Sequence, residues 1–111
     1  MAGLFLRLPI GDSGNLGPGK ARLLELIDET GSIRSAAAKM KLSYRRAWLL
    51  LQDLERVFGG PVLERRTGGK SGGGAALNAR GRDVVKHFRN AERRTARAIK
   101  AAGGEALFVQ T

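Results

Sequence analysis

Residues Ser32–Leu54, SIRSAAAKMKLSYRRAWLLLQDL, decide the fold, because they predict two helices joined by a tight turn. Ser32 and Ser43 each precede a helical pattern, and a serine hydroxyl there can accept a hydrogen bond from a free backbone N–H of the first turn. Lys41-Leu42 forms the turn. The first helix carries a narrow stripe of small or apolar residues: Ala36, Ala37 and Met40. The second is predicted to bury a longer stripe: Ala47, Leu50, Leu51, Leu54 and Phe58.

The second helix begins Ser43-Tyr44-Arg45-Arg46, and nothing apolar in this first turn demands burial. A basic helix start behind a short helix and a turn is typical of the helix-turn-helix, whose second helix places its N-terminal residues against base edges in the major groove. An ordinary helical hairpin with a solvated basic end fits these two helices equally well. The rest of the chain must therefore decide between them.

Length and composition exclude several classes of protein. The 111 residues suit a single domain, 1–111, large enough for a real core. The chain has no cysteine and one histidine, which excludes disulfides, a thiol nucleophile and a multi-histidine metal site, so we expect no enzyme, metal or cofactor. No apolar run approaches the ~20 residues that span a bilayer, and we expect a cytoplasmic protein without membrane contact. The net charge of +10 predicts a polyanionic partner, and charge alone does not choose among DNA, RNA and an anionic membrane surface.

Upstream, a strand is predicted at Leu4–Leu8, a loop at 11–19 and a helix at Pro18–Thr30 that Gly31 ends. Downstream of Gly59-Gly60-Pro61, two short strands enclose a glycine-rich basic tip, which predicts a hairpin "wing" over 62–77. The tripeptide Gly69-Lys70-Ser71 raises the question of a nucleotide-binding loop, but Glu64 stands where that motif needs glycine. A disordered linker over 68–74 remains an alternative.

A long basic helix is predicted over 79–102, followed by a tail, 103–111, with an apolar patch. The helix is longer than a domain of this size needs to close its own core, so we expect part of it to pack against a second copy of the chain. The alternative is packing within one chain and a solvated outer face. The residues expected in the dimer contact are Val84, Phe88, Ala91, Thr95 and Ile99.

The order of elements is that of a mainly α protein with a small β-hairpin, a winged helix-turn-helix with a long C-terminal dimerisation helix. Its most distinctive residues are Gly31-Ser32-Ile33, Ala37, the run Ser43–Trp48, Val62-Leu63-Glu64-Arg65, the wing run Thr67–Leu77 and Gly81. In these residues the chain resembles the N-terminal DNA-binding domain of the molybdate-responsive ModE regulators of bacteria, which are close to the LysR-type domain. The resemblance implies a dimeric, sequence-specific transcription regulator that binds a palindromic DNA site, with a link to molybdenum metabolism.

The oxyanion-binding domains of that family have no counterpart in this sequence, so we do not expect molybdate to bind this chain directly. Whether the chain stands alone or belongs to a longer regulator stays open. Two other functions also stay open: a non-specific, nucleoid-type nucleic-acid-binding protein and an oxyanion-binding protein.

Arg45 and Arg46 are expected to approach guanine edges or flanking phosphates, and the wing is expected to contact the DNA backbone or the minor groove. Trp48 is expected to pack beneath the wing, and a contact with the sugar-phosphate chain of DNA is the alternative. The full predicted DNA-binding set is Ser32, Arg34, Ser35, Ser43, Tyr44, Arg45, Arg46, Arg65, Arg66, Lys70 and Ser71.

Overall fold

The computed structural model describes residues 6–10, 14–66 and 74–103. Most of these residues are helical, and the mainly α class with small β-hairpins is confirmed. In chain order the elements are β1 (Leu8–Ile10), β2 (Gly14–Leu16), α1 (Pro18–Thr30), α2 (Ile33–Lys39), α3 (Tyr44–Phe58), β3 (Leu63–Arg66), β4 (Gly74–Leu77) and α4 (Ala79–Ala101).

Local capping interactions set the ends of the first three helices, as the sequence predicts. The Ser32 hydroxyl accepts from the Ser35 N–H at 3.1 Å, and the Ser43 hydroxyl accepts from the Arg46 N–H at 3.0 Å. Lys41 adopts a left-handed conformation with φ 58° and turns the chain sharply between α2 and α3. Gly31, with φ 75°, ends α1, since glycine adopts this conformation without a steric penalty from a Cβ.

The hydrophobic core lies around α1, which packs against α2, α3, β4 and α4. Small residues of α2 let α3 approach closely, because Ala36 and Ala37 are buried against the core. Phe88 of α4 and Val62, just before β3, are fully buried. The core thus holds the helix pair, the hairpin root and the start of α4 in one packed arrangement.

The N-terminal hairpin differs from the prediction. The first strand is Leu8–Ile10 rather than Leu4–Leu8, and Gly14–Leu16 forms a second strand inside the predicted loop. Leu8 lies opposite Leu16, and the side chain of Leu16 is buried in the core. The stabilisation from this burial outweighs the preference of the neighbouring residues for a turn. Pro9 is tolerated because a two-stranded hairpin consists of edges only. Residues 1–5 lie outside the described part of the chain.

The second hairpin, β3–β4, forms the root of the predicted wing. It is antiparallel, and its register places Leu63 opposite Leu77 and Arg66 opposite Gly74. Two bonds attach β4 to α1 and its end: the Ala75 N–H donates to the Gly31 carbonyl at 2.9 Å, and the Leu77 N–H donates to Asp28 Oδ1 at 3.2 Å. The predicted tip, residues 67–73, lies outside the described residues.

Asn78 connects the hairpin to α4. Its side-chain oxygen accepts from the Gly81 N–H at 2.8 Å and caps the helix, while its side-chain nitrogen donates to the Pro61 carbonyl at 2.9 Å. Its backbone N–H donates to the Val62 carbonyl at 3.1 Å. α4 ends at Ala101, one residue before the predicted end, and the tail from 104 onward lies outside the described residues. No helix in the described ranges is long and apolar enough to cross a membrane.

Candidate nucleic-acid interface

The start of α3 presents polar and charged side chains to solvent. Tyr44, Arg45 and Arg46 are all exposed, although Ala47, directly after them, is fully buried. The difference follows from helical geometry, because the buried stripe Ala47, Leu51 and Leu54 occupies one side of α3. Arg45 lies on the side opposite this stripe. The helix therefore buries its apolar face and offers a basic first turn outward.

A cation–π contact joins the start of α2 to the start of α3. The guanidinium carbon of Arg34 lies 4.9 Å from the centroid of the Tyr44 ring. Both side chains are exposed, so this contact orders them at the surface rather than in the core. The contact thus links the exposed starts of α2 and α3.

The root of the wing is attached beside the start of α2. Arg65 on β3 lies opposite Ala75 on β4, and the Ala75 N–H bonds to the carbonyl of Gly31. The next residue along the chain, Ser32, caps α2. A short path of bonded residues therefore connects exposed Arg65 through the start of α2 to the start of α3.

The arginines of this surface differ from some other cations on the helices in having no carboxylate partner among the residues that the structure describes. Lys20 Nζ lies 2.5 Å from Asp53 Oδ2, and Arg56 also pairs with Asp53. Hydrogen bonds from Lys20 and then Arg56 hold the pKa of the Asp53 carboxyl below its ordinary value. In contrast, Arg45, Arg46 and Arg65 form no ion pair with any carboxylate in the described ranges.

A second ion-pair cluster joins α1 to α4. Arg89 contacts Glu25 and Glu92, each at 2.7 Å, and all three side chains are about three-quarters buried. The pKa of the Arg89 guanidinium is raised, chiefly because it donates hydrogen bonds to Glu25. Glu25 is thus engaged in packing α1 against α4.

The structure places the described members of the predicted DNA-binding set at the starts of α2 and α3 and on β3. The hydroxyls of half-buried Ser32 and exposed Ser43 serve as helix caps, and Ser35 is exposed in the first turn of α2. The backbone of Arg66 belongs to β3, but its side chain lies outside the description. Lys70 and Ser71 lie outside the described residues altogether.

The sequence did not assign Leu49 of α3 to this surface, and for Trp48 it favoured packing over DNA contact. Leu49 is 43% exposed and Trp48 is 36% exposed, although Trp48 is predicted from sequence to pack beneath the wing. For Leu49 a signal exists: it follows Arg45 by four residues and so shares its face of the helix. Among the described residues, no group of three or more His, Asp or Glu could hold a metal ion.

The predicted dimer contact requires a correction. Val84 and Phe88 are 6% and 0% exposed within one chain, so they belong to the core and are not accessible to a second copy. Sequence spacing could not separate the two cases, since a residue buried in a core and one buried in an interface show the same periodicity. Ala91, Thr95 and Ile99, further along α4, are only partly buried.

Comparison with known families identifies this arrangement. Residues 19–82, more than half of the chain, match the family described as "Bacterial regulatory helix-turn-helix protein, lysR family". The chain belongs to this lysR family. The matched range runs from the first turn of α1 through α3 and the hairpin to the start of α4, and so includes the whole surface described above.

Several curated relatives carry the ModE name, which confirms the resemblance drawn from the sequence. The transcriptional regulator ModE of Haemophilus influenzae is 48% identical over 60 residues, covering 54% of this chain and 24% of that protein. The DNA-binding transcriptional dual regulator ModE of Escherichia coli K12 is 34% identical over 71 residues, covering 64% of this chain and 27% of that protein. The matches thus span about a quarter of the length of these relatives.

Solved structures share the lysR-family fold. The crystal structure of the CbnR_DBD–DNA complex superposes with a TM-score of 0.59 at 20% identity, covering 79% of this chain and 95% of that chain. Full-length CbnR complexed with target DNA gives a TM-score of 0.56 at 20% identity, covering 76% of this chain and 27% of that chain. The winged helix-turn-helix fold with a long C-terminal helix is thereby confirmed.

Proposed function

We propose that this chain is the DNA-binding part of a bacterial transcription regulator that recognises a specific sequence in double-stranded DNA. The observation that carries the proposal is the exposed, basic first turn of α3, whose arginines have no acidic partner among the described residues. Arginines that are not already paired can bind phosphates or guanine edges without first losing a carboxylate. The family and the net charge of +10 support the same function.

In this mechanism α3 enters the major groove and Arg45 binds guanine O6 and N7 through a bidentate contact. Arg46, on a different side of the helix, contacts the flanking phosphates. Three serines lie at the starts of α2 and α3, where backbone N–H groups and the helix dipole favour the binding of phosphate: Ser32, Ser35 and Ser43. Arg65 lies at the wing root, and we extend the wing contact to Arg66, Lys70 and Ser71 as part of the proposal.

We further propose that the regulator binds a palindromic site as a homodimer formed through α4. The corrected contact begins after Phe88 and comprises Ala91, Thr95 and Ile99. These residues are partly exposed and spaced by four, which favours a helix–helix seam. Two-fold symmetry in the protein then matches two-fold symmetry in the DNA.

The names of the relatives support a link to molybdenum metabolism, since they include a molybdenum transport protein ModE in Herbaspirillum seropedicae. We propose that this chain supplies the DNA-binding step and does not itself bind molybdate. In this role it acts in the bacterial cytoplasm, without membrane contact, as a regulator and not as an enzyme.

A non-specific nucleic-acid-binding protein is the second candidate, favoured by the net charge of +10. Selection of bound duplexes from a random DNA pool separates the two functions. A regulator enriches one sequence with two-fold symmetry, whereas a non-specific binder enriches none. Enrichment of no sequence would therefore refute the proposal.

A charge-matched pair of variants then tests the assignment of α3. Arg45→Ala should lower affinity for the selected site by about 1–3 kcal/mol and relax preference at one base pair. Arg93→Ala removes the same charge from an exposed position on α4 and should leave that preference unchanged. Lys70→Ala should weaken all sequences alike. Equal effects of Arg45→Ala and Arg93→Ala on site preference in gel-shift titrations would contradict the assignment.

A further inference from the structure

Leu49 is a large apolar side chain on a face of α3 where the fold gives it nothing to bury against. It is 43% exposed, more than any other large hydrophobic side chain of the described residues. The positions that face the core are Ala47, Leu51 and Leu54, and Leu49 projects from the opposite side. Its exposure therefore follows from helix geometry rather than from an incomplete core.

The charged neighbours of Leu49, Asp53 and Arg56, are already paired with each other. Leu49 lines a shallow depression with Gln52, Asp53 and Arg56. Asp53 accepts hydrogen bonds from both Lys20 and Arg56, so its negative charge is compensated by two cations. The surface beside Leu49 is therefore not strongly repulsive toward DNA, and Leu49 itself has no group that can donate or accept a hydrogen bond.

The major groove presents few apolar groups, and the C5-methyl of thymine is the one that proteins contact with apolar side chains. We propose that Leu49 contacts the C5-methyl group of a pyrimidine and makes this methyl a determinant of the DNA site. Arg45 lies one helical turn earlier on the same face, about 6 Å along the axis. The methyl group then lies roughly two base steps from the guanine bound by Arg45. This inference rests on the proposed DNA-binding function.

Thymine and 5-methylcytosine both carry this methyl group, and base substitution distinguishes them. In the selected duplex, each thymine is replaced singly by deoxyuridine, which removes only the methyl group. At one position affinity should fall about fourfold, the effect of losing one buried methyl group. Replacing the same thymine with cytosine tests the base, and replacing it with 5-methylcytosine tests whether the methyl alone restores binding.

Variants assign the effect to Leu49. Leu49→Ala and Leu49→Gln should bind the thymine and deoxyuridine duplexes with affinities equal within about 1.5-fold, whereas wild type distinguishes them about fourfold. Gln52→Ala, an exposed neighbour on the same helix, should keep the wild-type discrimination. Circular dichroism confirms that the variants are folded, which is expected because Leu49 is largely outside the core.

The outcomes separate the two levels of the argument. A selected site that lacks a C5-methyl pyrimidine near the Arg45-bound guanine overturns the inference and leaves sequence-specific binding intact. So does a deoxyuridine effect that persists in Leu49→Ala. Selection that enriches no sequence overturns both the inference and the proposed function. An effect present in wild type and Gln52→Ala but absent from both Leu49 variants supports the contact.

Discussion

Replacing Gly81 with alanine should destabilise the fold, although the same change in most helices is stabilising. Gly81 lies in the first turn of α4, where alanine normally gains about 0.5–1 kcal/mol over glycine. Here, however, a Cβ would lie 2.2 Å from the carbonyl oxygen of Val62 and 3.3 Å from the Cβ of Leu77. The start of α4 therefore approaches the hairpin too closely for any side chain.

The size of the effect follows from these distances. Ordinary contact begins near 3.4 Å, so α4 and the segment before β3 must separate by about 1.2 Å. Overpacking of this kind typically costs about 1–3 kcal/mol. After the gain in helix propensity is subtracted, Gly81→Ala should lower the free energy of unfolding by about 1 kcal/mol, and by at most about 2.5 kcal/mol. Each kcal/mol corresponds to a fall in Tm of roughly 4–8 °C.

Gly19 supplies a matched control for thermal unfolding followed by circular dichroism. It also lies in the first turn of a helix, but a Cβ there would meet nothing within 4 Å. Gly19→Ala should therefore raise the free energy of unfolding by about 0.4–1 kcal/mol. If Gly81→Ala matched or exceeded wild type in stability, close packing of α4 against the hairpin would be refuted.

Three further predictions test the caps, the ion pairs and the helix seam. Ser43→Ala should lower the free energy of unfolding by about 1 kcal/mol and Ser43→Gly by only a few tenths, and equal losses in denaturant titrations would argue against capping. Because Lys20 holds the pKa of Asp53 below 3.8, the pair stabilises the fold above that pH and loses this contribution as pH falls through the folded-state pKa. The difference in unfolding free energy between wild type and Lys20→Met should therefore shrink at low pH. A constant difference in acid titrations would contradict this prediction. Ile99→Asp should weaken self-association measured by sedimentation and the exposed-site control Ala98→Asp should not, and an unchanged Ile99→Asp dimer would place the seam elsewhere.

Features that depend on neighbouring residues were predictable from the sequence. Local residues set the helix ends: the bounds of α1, the serine caps of α2 and α3 and the asparagine cap of α4. Each depends on residues within one turn of the helix end that they stabilise. The helix-turn-helix and the hairpin root follow from these bounds and from the glycine-rich run between the strands. The basic turn at Arg45 is likewise visible because nothing apolar competes for its place.

Features that depend on distant contacts were not predictable. Strand β2 forms because Leu16 is buried in the core, which the turn-like residues around it conceal. Val84 and Phe88 show the spacing of a seam whether the surface that covers them comes from their own chain or from another copy. The sequence also could not show which cations are paired with a carboxylate. Asp53, for example, pairs with Lys20, which lies 33 residues away in sequence on another helix.

The triple attachment of Asn78 has a consequence for the geometry of a complete complex. The side-chain oxygen of Asn78 caps α4 at Gly81, while its side-chain nitrogen and backbone N–H donate to Pro61 and Val62 just before β3. These bonds attach the hairpin root to the start of α4. In a pair of chains joined along α4, the two hairpins would therefore lie at a fixed distance from each other. One extra base pair between the half-sites would rotate one half-site away from the hairpin that contacts it. We therefore expect little tolerance for altered spacing between the half-sites.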